Sequence, residues 1–267
     1  MKESVLLVKK SDGIATLILN RPEKMNALSL EMRISFQDAI DDIRTDSNIS
    51  VVILTGAGMA FCAGLDLKEM GDAEFRTHEK PVTDPATLLR SLRQPVIGAI
   101  NGLAVTGGLE ISLSCDILLA TPNTQFADTH ARVGLVPGWG LSQRLSRVIG
   151  IYRAKEMSLT GNFVSAQQAY EWGLVNHVVA ADELMPTAVS MARDIVSCDS
   201  RTMFTYKRMI DRGFDLSLGD AMMYENEVNR SHGSPPAEVV AGRRGDIQSR
   251  GRKEAKDLGE GEGDSQG

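Results

Sequence analysis

Between residues 14 and 120 the sequence repeatedly sets a strand-sized apolar run beside a helix-sized segment, and that alternation admits few folds. After Ile14-Ala15-Thr16-Leu17-Ile18-Leu19, Ser29 is placed to cap a helix in which Phe36, Ile40 and Ile43 recur at i, i+4 and i+7. Val51-Val52-Ile53-Leu54 follows, apolar at every position as in a buried strand. The unit is a βαβ crossover. It recurs with Val96-Ile97-Gly98-Ala99-Ile100 as strand, Gly107 to Ser114 as short helix and Asp116-Ile117-Leu118-Leu119-Ala120 as strand. The segment before it, Val5-Leu6-Leu7-Val8 and the turn pair Asp12-Gly13, predicts a hairpin onto the first of these strands. The fold class is α/β.

From Gly138 onward the pattern changes to helices separated by Gly150, Gly161 and Gly173, with one strand expected at Leu174 to Val179. Helical spacing covers Asp182 to Ile195 and Arg201 to Arg212, and after Pro235-Pro236 a basic helix runs toward Lys256. The closing Gly259-Glu260-Gly261-Glu262-Gly263-Asp264 has nothing to bury and predicts disorder over 257–267.

The chain of 267 residues, 42% hydrophobic, has material for a sizeable core. Its apolar runs are far shorter than the ~20 residues that cross a bilayer, so no membrane partner is expected. Cys62, Cys115 and Cys198 are odd in number and widely spaced, which supports neither a disulfide framework nor a zinc ribbon. With no leader-like opening, a cytoplasmic location is the expectation. A formal charge of −6 argues against nucleic acid as a partner, despite the basic cluster Arg243, Arg244, Arg250, Arg252 and Lys253.

Several chemistries lose their sequence support. Gly56-Ala57-Gly58 follows a strand as a dinucleotide fingerprint would, but Phe61 stands where the third glycine belongs. No GxxxxGK[ST] loop and no GxSxG elbow occurs. His78, His130, His177 and His232 show no close pairing, so no metal site is expected. Two glycine-bearing segments are more informative: Ala60-Phe61-Cys62-Ala63-Gly64-Leu65-Asp66-Leu67-Lys68 and Asn101-Gly102-Leu103-Ala104-Val105-Thr106-Gly107-Gly108-Leu109-Glu110. Each places bare backbone N–H groups where a strand gives way to a helix. Two such groups aimed at one carbonyl oxygen stabilise an enolate, although glycines at these places also serve tight turns alone.

Those two segments, with Asn20-Arg21-Pro22-Glu23-Lys24-Met25-Asn26-Ala27-Leu28 ahead of them, resemble the enoyl-CoA hydratase/isomerase (crotonase) family. The resemblance continues through Phe126, Gly134-Leu135-Val136-Pro137-Gly138 and Ala169 to Val179, covering residues 5–215. It implies a crotonase-like spiral of ββα units over 1–195 and a C-terminal helical trimerisation region over 196–256, assembling as a homotrimer or a hexamer. It also implies an acyl-CoA thioester substrate, with coenzyme A carried by the substrate and no separate cofactor. By motif match the oxyanion-hole N–H groups belong to Leu65 and Gly107, and Ala27, Ala63, Gly64, Asp66 and Leu67 fall on positions lining the coenzyme A site.

Glu110 matches the first of the two glutamates that hydratases use, three residues after Gly107 and therefore on the same helix face. The place of the second is taken by His130 within Asp128-Thr129-His130-Ala131-Arg132. Syn addition of water across a conjugated thioester needs one group to activate water at Cβ and one to deliver a proton to Cα. A neutral imidazole can accept or donate near pH 7, but it is not a carboxylate. The expected activity is hydration of trans-2-enoyl-CoA to 3-hydroxyacyl-CoA. Double-bond isomerisation, which needs one base, is an alternative, as is binding of acyl-CoA without turnover. The stretch Asp72 to Leu89, expected to wall the acyl pocket, carries no readable pattern.

Overall fold

The computed structural model describes residues 3–71 and 82–261, with the backbone alone for 253–261. Its residues divide into two compact units, 1–208 and 209–267. The first opens with the hairpin β1 (Leu6–Ser11) and β2 (Ile14–Leu19), followed by α1 (Leu30–Thr45) and β3 (Val51–Gly56). Ser29 caps α1 as its sequence position predicts, its hydroxyl accepting from the Met32 N–H, and Phe36, Ile40 and Ile43 are all fully buried.

Two sheets then grow together. After β3 come β4 (Ala60–Cys62), α2 (Leu67–Met70) and α3 (Pro85–Arg90); next β5 (Val96–Ile100), β6 (Leu103–Val105) and α4 (Gly107–Ser112); then β7 (Ile117–Ala120) and β8 (Gln125–Ala127). The larger sheet has the order β1-β2-β3-β5-β7-β10, where β10 is His177–Val178. The smaller has the order β4-β6-β8-β9, where β9 is Val164–Ser165. Each turn of the chain thus lays one strand in the larger sheet and the next in the smaller, which is the spiral expected from the family resemblance.

The parallel strands β3, β5 and β7 at the centre of the larger sheet are buried on both faces, and this explains their unbroken apolar runs, whereas β1 pairs antiparallel at its edge and is largely exposed. Val52 and Leu54 of β3 point into the main core with Phe36, Phe61 and Phe126. Val51 and Ile53 point the other way, into a second cluster closed by Leu184, Ala188 and Ala192 of α8 (Leu184–Val196). Between β8 and α8 lie α5 (Leu141–Ile149), α6 (Ile151–Thr160) and α7 (Ala166–Glu171).

One expectation is corrected. The strand predicted over 174–179 is confined to His177–Val178, because Leu174 and Val175 still donate to the Ala169 carbonyl as the chain leaves α7. By compactness the units divide at 208/209, inside α9 (Ser200–Phe214), a different criterion from the core and oligomerisation regions expected to meet at 195/196. The second unit holds α10 (Leu218–His232) and α11 (Ala237–Gly261). Helix α11 runs to Gly261 and so takes in residues 257–261 of the tail expected to be disordered, a glycine within a helix costing only about 1 kcal/mol. Residues 262–267 of the expected disordered tail lie outside the described residues, as do 72–81 of the stretch expected to wall the acyl pocket.

Candidate active site

The smaller sheet determines where the site lies. Strands β4, β6 and β8 are adjacent and parallel, so the chain leaves all three at the same edge. Ala63 to Leu67 follow β4, Thr106 to Glu110 follow β6, and Asp128 to His130 follow β8. Segments at the carboxyl ends of neighbouring parallel strands are where α/β folds build ligand sites. Here they surround a cavity of about 240 Å³.

Two N–H groups face one another across this edge. Gly64, with φ +88°, packs so closely on the next strand that a Cβ there would lie 3.0 Å from both the Gly107 nitrogen and the Val105 carbonyl oxygen. A Cβ on Gly107 would stand 3.6 Å from the Leu65 nitrogen. A parallel bridge between Leu28 and Leu65 uses the Gly64 carbonyl and the Asp66 N–H, and so leaves the Leu65 N–H out of the ladder. Gly107 is the first residue of α4, where an N–H has no helical acceptor. Neither group donates to a protein acceptor among the described residues. The backbone turn that aims Gly107 is made by Thr106 at φ 54°, ψ −110°, a conformation foreign to a β-branched residue. Its hydroxyl is paired with that of Thr129.

Glu110 projects from α4 into the cavity and is 2% exposed. Its Oε1 accepts from the backbone N–H of Trp139 at 2.9 Å and of Leu141 at 3.4 Å, which leaves Oε2 as the working oxygen. Burial pushes the Glu110 carboxyl above the ordinary range, against those N–H groups and His130, which oppose the shift. Oε2 lies 3.7 Å from His130 Nε2. That gap is too long for a direct hydrogen bond, and one oxygen about 2.8 Å from each atom closes it. Burial also pushes the nearby Cys62 thiol up to about 12, so its sulfur is a packing group rather than a nucleophile.

Of the residues picked out from the sequence, Ala63, Leu65, Leu67, Gly107, Glu110 and His130 line the cavity. Ala27, Gly64 and Asp66 do not. Arg21 donates to the Ala27 carbonyl at 2.6 Å and to Asp66 Oδ2 at 3.1 Å, while Asp66 caps α2 by accepting from the Lys68 N–H. Sequence reasoning missed Thr106, Thr129 and Trp139 in the lining, and Asp128 behind it. Among the described residues no three His, Cys, Asp or Glu side chains are grouped to hold a metal ion.

Comparison with known proteins identifies the family. The family model described as enoyl-CoA hydratase/isomerase matches residues 9–237. A probable peroxisomal enoyl-CoA hydratase 1 of Arabidopsis thaliana is 42% identical over 87% of this chain and 87% of its own length. A short-chain-enoyl-CoA hydratase of Clostridium acetobutylicum is 37% identical over 85% of this chain and 89% of its own. The crystal structure of an enoyl-CoA hydratase from Mycobacterium smegmatis superposes with a TM-score of 0.71 at 46% identity, covering 86% of this chain and 98% of that one. With its spiral of paired strands and its paired N–H groups at the edge of the smaller sheet, the chain belongs to the enoyl-CoA hydratase/isomerase family.

Proposed function

We infer that the protein hydrates trans-2-enoyl-CoA to 3-hydroxyacyl-CoA. The observation that carries this reading is the pair of unengaged N–H groups, Leu65 and Gly107, beside a buried carboxyl and an imidazole nitrogen 3.7 Å apart. The thioester oxygen accepts from the two N–H groups, which lowers the cost of the enolate that forms when Cβ is attacked. A water held between Glu110 Oε2 and His130 Nε2 forms its bond to Cβ as one of its protons passes to Nε2. The protonated Glu110 carboxyl gives its proton to Cα, and the thioester carbonyl reforms. Return of the Nε2 proton to Oε2 through the next water restores the pair. The acid role suits its setting, since burial raises the Glu110 carboxyl above its ordinary range and so favours the protonated form.

No cofactor enters these steps beyond the coenzyme A that the substrate carries. Ala27, Ala63, Gly64, Asp66 and Leu67 are assigned to its binding. A homotrimer or hexamer belongs to the same reading, supported by the exposed apolar side chains of Tyr206, Ile210 and Phe214 at i, i+4 and i+8 of α9. Cytoplasmic residence is consistent with three free cysteines. No helix among the described residues is long and apolar enough to cross a membrane.

Oxygen labelling separates hydration from isomerisation. In ¹⁸O-water, hydration places the label on C3 of the product, whereas moving a double bond incorporates none. Tight binding of an enoyl-CoA with no turnover would favour the non-catalytic alternative.

A further inference from the structure

His130 does not stand alone in the cavity wall. Its Nδ1 lies 2.7 Å from Asp128 Oδ1, which also accepts the His130 backbone N–H at 3.2 Å. Asp128 is 2% exposed and sits outside the cavity lining, behind the ring. Glu110 faces the opposite ring nitrogen from α4, and Ser158 of α6 is a further hydrogen-bond partner of Asp128. Burial alone would push the Asp128 carboxyl up, but its hydrogen bonds from His130 and Ser158 outweigh this and hold it below its ordinary range.

We propose that Asp128 is a positioning residue: its carboxylate keeps the His130 proton on Nδ1, so that Nε2 presents a lone pair to the cavity beside Glu110. An ionised carboxylate has no hydrogen to give, so the nitrogen it touches must be the donor. In a neutral imidazole the other nitrogen is then an acceptor. When Nε2 takes the water proton, the same carboxylate stands against the imidazolium formed, as the aspartate does in a Ser-His-Asp triad. A histidine can therefore occupy a carboxylate's place in this site because an aspartate two residues earlier supplies the negative charge and fixes the ring. The proposal rests on the hydratase reading for its kinetic consequence but not for its tautomer.

Both are measurable on the intact protein. With ¹⁵N in the histidine rings, and His130 identified by the signal missing from His130→Gln, the parent at neutral pH carries hydrogen on Nδ1 and none on Nε2. In Asp128→Asn, whose amide can donate, the proton moves to Nε2. With crotonyl-CoA, that variant loses kcat by about 10²–10⁴-fold while KM stays within about threefold. A parent ring carrying hydrogen on Nε2, the same tautomer in both proteins, or kcat unchanged in an otherwise active enzyme overturns the proposal. The parent spectrum decides the tautomer even where Asp128→Asn fails to fold. A parent that leaves enoyl-CoA untouched counts against the hydratase reading alone, because the tautomer is still observed.

Discussion

Gly64 and Gly107 belong to different turns of the spiral, yet a single added carbon on Gly64 would come within 3.0 Å of the Gly107 nitrogen. The two N–H groups proposed to hold the thioester oxygen are brought together by that closeness, and only a residue without a Cβ permits it. Gly64→Ala therefore lowers kcat by about 10²–10³-fold, the usual effect of losing one oxyanion donor. Steady-state kinetics with crotonyl-CoA checks this, and an unchanged kcat would remove the hole from the mechanism.

Asn26 holds the segment that carries this geometry. It is fully buried with φ 55°, its Nδ2 donates to the carbonyls of Ala57 and Ala60, and its Oδ1 accepts from the Arg21 N–H. Asn26→Ala strands the Ala57 carbonyl and the Arg21 N–H, while the Ala60 carbonyl keeps Asn101 Nδ2 at 3.3 Å; a buried group left unsatisfied costs about 1–3 kcal/mol. Chemical denaturation should show a loss of at least about 2 kcal/mol. A variant as stable as the parent would mean that the loop does not need this clamp.

The two site carboxyls shift in opposite directions, so their effects on stability run oppositely with pH. Glu110 is raised in the folded protein, mainly by burial, and the folded state binds its proton more tightly. Its stabilising share is complete below the unfolded value of about 4.3 and is lost as pH rises through the folded value. Asp128 is lowered, so its share is present above about 3.9 and lost as pH falls through the folded value. Melting temperatures of Glu110→Gln and the parent test this, because the variant should gain on the parent between pH 4 and pH 7. A constant difference across that range would contradict the assignment for Glu110.

The larger sheet was legible because β3, β5 and β7 are buried on both faces and read as unbroken apolar runs. The smaller sheet was not: β4, β6 and β8 have three residues each, too few to show a period of two. The position of the site at one edge was therefore hidden, although several of the residues that line it are picked out one by one. Leu65, Gly107, Glu110 and His130 came from family resemblance, and the cavity brings all four together. Asp128 was in plain sight two residues before His130. Its role depends on which nitrogen its side chain meets, and spacing does not reveal that. Helix α3 lies partly in the stretch without a readable pattern, since its Asp84 cap and Pro85 start are signals of a single turn.

Central to this account is the joint action of Glu110 and the paired N–H groups on a conjugated thioester. Its most direct test is the ultraviolet absorbance of crotonyl-CoA with the parent and with Glu110→Gln. The parent should remove the conjugated absorbance with formation of 3-hydroxybutyryl-CoA, while the variant binds the thioester and is at least about 10²-fold slower. A parent that leaves the absorbance intact, or a variant that matches its rate, would contradict it.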